Sequence, residues 1–172
     1  MNAKKINNNF EPYKRVVKFV GSAIIVLLEL AAYYYVWMNC YNRNMTVAFW
    51  RRGNWLIAGE YLILSLVLHR LYGGLKVGIY KYWTLVYSHM LSIVGVNAFS
   101  YVQVVLFDKK MHNPAALLGL TALDFAMVLL WALAFKKIYA AMFPKRRLLL
   151  IYGKKPMFHL VNRIDTPDDK YE

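Results

Sequence analysis

Apolar and polar stretches alternate along the chain in four long cycles. Residues 16–39, 55–71, 84–107 and 114–135 are almost wholly apolar. A helix rises 1.5 Å per residue, so roughly 20 such residues cross the hydrocarbon core of a bilayer, and the pattern predicts four transmembrane helices. The third block contains no Asp, Glu, Lys or Arg; the second is the shortest and holds Glu60, with His69 and Arg70 at its end. A soluble bundle would keep a charged face along each helix, and these blocks lack one. The first block is too long for the core of a cleavable leader, contains Glu29 and is followed by no small-residue cleavage motif, so it reads as a retained span. Asn113-Pro114 supplies a cap and a first-turn proline for the fourth helix, and Asn54 is placed to cap the second. Tyr33, Tyr34, Tyr35, Trp37 and Tyr41 crowd the end of the first block, and Tyr80, Tyr82 and Trp83 the start of the third, as in an interfacial aromatic belt.

The pattern changes after the fourth block. Residues 136–143 continue as an amphipathic turn or two, and Pro144 interrupts them. Lys145, Arg146 and Arg147 suit anionic headgroups. The continuous apolar run 148–152, closed by Gly153, has the form of a buried parallel strand, and Met157, Leu160, Val161 and Ile164 follow at helical spacing. Lys170, Tyr171 and Glu172 could open a second strand. The expected fold is therefore an all-α membrane protein. Residues 1–143 form a four-transmembrane-helix bundle, and residues 144–172 form the first strand and helix of a truncated Rossmann-like α/β domain. One strand and one helix cannot bury a core alone.

Composition sharpens this picture. Of the 172 residues, 59% are hydrophobic, yet Lys and Arg number 22 against 9 Asp and Glu, for a net charge of +13. Such a charge alone would suit nucleic acid or an anionic surface; the apolar blocks exclude nucleic acid as the partner and point to the lipid bilayer. Counted by segment, 17 basic residues fall on the side of the two termini and the loop between the second and third spans, and 5 on the other side. The positive-inside rule then places both termini in the cytoplasm. The single cysteine, Cys40, supports neither an internal disulfide nor a Cys-rich metal site.

Small residues mark where helices approach in lipid. Ser88, Ser92, Gly95 and Ala98 in the third helix, with Thr84, and Ala115, Gly119, Ala122 and Ala126 in the fourth, each recur at three or four residues, which predicts a close seam between these two helices. Glu29, Glu60, His89, Asn97 and Asp124 are the candidate intramembrane polar contacts. Ionisable groups at membrane depth suggest a proton relay, an ion site or a cation-bridged lipid phosphate. Against that stands the simpler interhelical hydrogen bond, favoured because the acids are single, lie at different depths and repeat no motif. No nucleophile triad, HExxH site or Walker loop occurs; Gly73, Gly74 and Gly78 read as turn glycines. The 153–156 turn lacks the dinucleotide fingerprint.

The four spans, the basic proline-broken connector and the run RLLLIYG at 147–153 together resemble the N-terminal part of bacterial polyprenyl-phosphate glycosylphosphotransferases, the sugar transferases that start exopolysaccharide assembly. LYGGLKVGIY at 71–80, YSHMLS at 87–92 and YVQ at 101–103 resemble the clostridial-type branch. The resemblance implies transfer of hexose-1-phosphate from a UDP-sugar to undecaprenyl phosphate, with magnesium as cofactor of the full enzyme. It places the catalytic carboxylates in a C-terminal domain that these residues do not include, so no catalytic, cofactor-binding or metal residue is assigned here. The implied partners are that missing catalytic domain, a second copy of the chain or polysaccharide-assembly proteins. The alternative is a stand-alone four-helix protein assisting translocation of lipid-linked sugars; the 144–172 strand and helix favour the first reading.

Overall fold

The computed structural model describes residues 11–77 and 82–142, and all regular structure among them is helical. After a short 3-10 turn at Glu11–Tyr13 come α1 (Lys14–Val36), α2 (Arg51–Tyr72), α3 (Tyr82–Asp108) and α4 (Ala115–Met142). All four helices are long and apolar enough to cross a membrane. The α1 helix continues through a π-helical turn, Trp37–Tyr41, and a 3-10 turn, Asn42–Asn44. The expected strand and helix at 144–172 lie outside the described residues.

The helices run up and down, each packed on its neighbour in sequence, and α4 returns against α1 to close the ring. The buried positions step by three or four: Ile25, Glu29, Tyr33 and Trp37 along α1 and its π-helical turn, Ile57, Tyr61, Ser65 and His69 on α2, Val86, His89, Ile93, Val96, Ser100 and Val104 on α3, and Leu117, Leu120, Asp124 and Val128 on α4. Large apolar side chains such as Phe19, Leu27, Ile63, Leu106, Leu118 and Leu130 point outward. The bundle is thus apolar outside and carries its polar groups inside, the distribution that a hydrocarbon surround selects.

At one end the α2–α3 connector folds into the bundle. Gly73 takes a left-handed conformation, φ 84°, at the α2 C-terminus, where a side chain would be strained. Val77 is then fully buried, and the Ser22 hydroxyl of α1 donates to the Leu75 carbonyl at 3.2 Å. At the other end Asp108 accepts from the Thr46 amide at 2.8 Å and pairs with His112 at 2.8 Å, while the Tyr41 and Tyr101 hydroxyls donate to the Asn113 and His112 carbonyls.

Two expectations about helix ends fare differently. Asn113 does cap α4, its Oδ1 accepting the Ala115 amide at 2.9 Å. Asn54 does not cap α2, which begins three residues earlier at Arg51. Its side chain instead accepts from Trp37 Nε1 at 2.9 Å and donates to the Phe49 carbonyl at 3.1 Å, tying the end of the first span to the start of the second.

The expected small-residue seam is also corrected. The α3 and α4 helices do pack together, but Ala115, Gly119, Ala122 and Ala126 are exposed, and a side chain added at Gly119 would meet nothing within 4 Å. On α3, Ser92 is buried, Ser88 and Gly95 are half-buried, and Ala98 is exposed; a Cβ at Gly95 would face Leu68 of α2. The physical reason is the buried Asp124: hydrocarbon penalises a carboxyl far more than it rewards any arrangement of alanines, so Asp124 sets the rotation of α4 and turns the alanine face outward.

Candidate functional site

Three helices converge on one group of side chains beneath the α2–α3 connector. Glu29 of α1 is 1% exposed, and His69 of α2 and His89 of α3 are completely buried. Glu29 Oε1 lies 3.4 Å from His69 Nε2 and 3.7 Å from His89 Nδ1, and the two imidazole nitrogens are 2.9 Å apart.

Local helix geometry presents these atoms. Ser65 precedes His69 by one turn, and its carbonyl lies 2.9 Å from His69 Nδ1. A carbonyl can only accept, so Nδ1 carries the proton, and in the neutral ring the lone pair sits on Nε2, facing His89 and Glu29. The Ser65 hydroxyl donates to Glu29 Oε2 at 3.4 Å, which holds the carboxylate with Oε1 toward the imidazoles. On the far side, the His89 ring meets Trp131 of α4 edge-on at 5.5 Å. The connector closes over both rings: a Cβ added to Gly74 would lie 2.9 Å from His69 Cδ2 and 3.5 Å from His89 Nε2, so only glycine lets the backbone pass this close. Glu29 Oε1 and His89 Nε2 have no hydrogen-bond partner among the described residues.

The arrangement concentrates electron pairs. Two ring nitrogens and a carboxylate oxygen face one another in a site closed to water, and like lone pairs at these separations repel unless a positive centre lies among them. A proton shared between the imidazoles meets that need, and so does a metal ion; the three ligand atoms all lie within 4.8 Å of one another.

Beside this group a second polar network crosses the bundle. The Tyr61 hydroxyl of α2 donates to Asn97 Oδ1 at 3.2 Å, and Asn97 Nδ2 of α3 lies 3.0 Å from Thr121 Oγ1 and 3.3 Å from Asp124 Oδ2, both on α4. Asp124 is fully buried, and its Oδ1 has no partner among the described residues. Glu60 stands apart, half-buried and hydrogen-bonded by Gln103 Nε2 of α3.

The sequence-predicted polar residues therefore sort into three places: Glu29 with His89, Asn97 with Asp124, and Glu60 alone with Gln103. Sequence reasoning noted His69 only as a mark of the end of the second block and missed it as a site residue. A signal did exist. Asn54, Tyr61, Ser65 and His69 fall at helical spacing along α2 and form one polar stripe, while Arg51, Arg52 and Arg70 lie at the helix ends and Glu60 on another face.

Asp124 distinguishes shape from charge. An asparagine there can still accept from Asn97, so Asp124→Asn should change stability by less than about 1 kcal/mol. Asp124→Leu leaves one Asn97 N–H unpaired, the other still meeting Thr121, and should cost about 1–3 kcal/mol, read from unfolding of the purified protein in mixed micelles. Equal losses for the two variants would show that the carboxylate charge itself is required.

The chain matches no family model, no curated protein and no solved structure.

Proposed function

We propose that these residues are the membrane-embedded part of a polyprenyl-phosphate sugar transferase of exopolysaccharide assembly, lying in the bacterial inner membrane with both termini in the cytoplasm. The observation that carries this reading is the joining of four apolar helices, closed into an up-and-down bundle, to a basic connector and the run RLLLIYG at 147–153. An even number of spans returns the chain to its starting side. The 17 basic residues of that side, against 5 on the other, make it the cytoplasmic one.

The bundle anchors and orients; the chemistry belongs to a domain outside these residues. That domain would use magnesium to transfer hexose-1-phosphate from a UDP-sugar to undecaprenyl phosphate, releasing UMP. Glu29, Glu60 and Asp124 take no part in the transfer: the resemblance gives none of them a catalytic role, and each is bonded to a side chain of a neighbouring helix.

The test uses membranes from cells expressing either the 172 residues alone or the whole reading frame that contains them, supplied with undecaprenyl phosphate and a labelled UDP-sugar. Labelled lipid is expected with the whole frame and not with the 172 residues. Turnover by the 172 residues would overturn the reading. Unchanged transfer but lost translocation of lipid-linked sugar, in cells lacking the chain, would favour the stand-alone translocation protein.

A further inference from the structure

We infer that Glu29, His69 and His89 form a binding site for one divalent transition-metal ion of the zinc type, which links α1, α2 and α3 inside the bundle. The inference is independent of the proposed transferase function, since it rests only on the geometry and charge of the three side chains.

Geometry is the first argument. The separations of Glu29 Oε1, His69 Nε2 and His89 Nδ1 are 3.4, 3.7 and 2.9 Å. A triangle with these sides has a circumscribed radius of about 2 Å, so a single point lies about 2.0–2.1 Å from all three atoms, the zinc–nitrogen and zinc–oxygen bond length. That point sits slightly out of the triangle's plane, as the centre of a tetrahedron does relative to one face. Three protein ligands and an open fourth position suit a tetrahedral ion that also holds a water or another small ligand. Two imidazoles with one carboxylate form a nitrogen-rich donor set that suits zinc and its neighbours rather than magnesium or calcium, which favour oxygen ligands.

The surroundings give the second argument. Metal-bound imidazoles donate their other N–H to a carbonyl or carboxylate, and ligating carboxylates are hydrogen-bonded in turn. His69 Nδ1 meets the Ser65 carbonyl at 2.9 Å, and the Ser65 hydroxyl holds the other oxygen of Glu29. If His89 ligates through Nδ1, its Nε2 carries the proton, and that atom lies beside Gly74 of the connector without a hydrogen-bond partner among the described residues. The atom of Glu29 aimed at the centre, Oε1, has no hydrogen-bond partner among the described residues.

Charge is the third. Glu29 and Asp124 are both essentially unexposed, and among the described residues no Lys or Arg forms an ion pair with either acid. One divalent cation held by two neutral histidines would supply the positive charge that the Glu29 carboxylate lacks in a low-dielectric surround.

The test uses the tag-free full chain in detergent, stripped with a chelator and then titrated with cobalt(II) and zinc(II). One equivalent of cobalt should give the visible absorption of a four-coordinate nitrogen–oxygen site, and one equivalent of zinc should abolish it. His69→Gln and His89→Gln should weaken binding by about 100-fold or more. Gly74→Val keeps all three ligands but pushes on the His69 ring, and should weaken binding by about 10–100-fold. His112→Gln, at the opposite end of the bundle, should bind as the parent does. A helical, monodisperse parent protein that gives no cobalt spectrum overturns the inference even if every variant fails to fold. So does stoichiometric binding that survives the His69→Gln/His89→Gln double substitution, or that is lost in His112→Gln.

Discussion

Replacing Gly21 by valine is expected to lower the stability of the bundle by about 1–3 kcal/mol, the usual cost of forcing extra methyl groups into a packed seam. At Gly21 the α1 backbone lies against the Phe135 ring of α4, and any Cβ there would overlap the ring edge. Phe135 has little room to yield. It is stacked between Trp131 and Tyr139, with centroids 5.6 and 5.8 Å away, and Lys18 of α1 lies over the Tyr139 ring. The loss should be coupled to Phe135: in Gly21→Val/Phe135→Ala the two effects should fall short of additivity by about 1 kcal/mol or more. Gly119→Val is the contrasting substitution, since a Cβ there meets open space, and it should be close to neutral. Unfolding in mixed micelles reads the parent and the four variants, the Phe135→Ala single substitution included. A Gly119→Val loss as large as that of Gly21→Val would mean that α4 packs through its alanine face after all.

The second large effect belongs to the buried acid. In chelator-treated protein, His69→Leu should destabilise by about 3 kcal/mol, the low end of the cost of leaving a buried charge without its partner. It stays at the low end because His89 Nδ1 remains 3.7 Å from the carboxylate. The figure still stands well above the average of about 0.6 kcal/mol for a hydrogen bond between transmembrane helices. Removing both members should hurt less than removing one: Glu29→Leu/His69→Leu should recover at least half of the loss, because no ionisable group is then stranded in the core. The same unfolding measurement decides it. A double variant less stable than His69→Leu would mean that Glu29 contributes by shape and packing rather than through its charge.

These two results address the part of the architecture that the amino-acid pattern left open. In a soluble helix the contrast between apolar and polar faces announces which side is buried. Here the lipid-facing surface is as apolar as the core, so Leu118 and Leu130 outside and Leu117 and Val128 inside look alike in the sequence. Small residues are equally ambiguous, which is why the stripe Ala115, Gly119, Ala122 and Ala126 suggested a seam that α4 does not use. The rare polar residue is the better guide. Stepping three or four residues from Asp124 reaches Leu117, Leu120, Val128, Ala132 and Phe135, the face that is buried.

What the sequence determined alone was the number of helices and their approximate ends. Both follow from length and local composition: each helix needs only its own run of apolar residues, and Asn113 caps α4 from two residues away. Partnership among polar groups required the folded bundle. Glu29, His69 and His89 belong to three different helices, and nothing in the spacing between helices records how each is rotated or how far it is shifted along the bundle axis. Packing decided that, through the Tyr33–Tyr61 stack at 3.8 Å, the turn at Gly73 and the close passage of Gly74, and so brought two imidazoles and a carboxylate to a common centre.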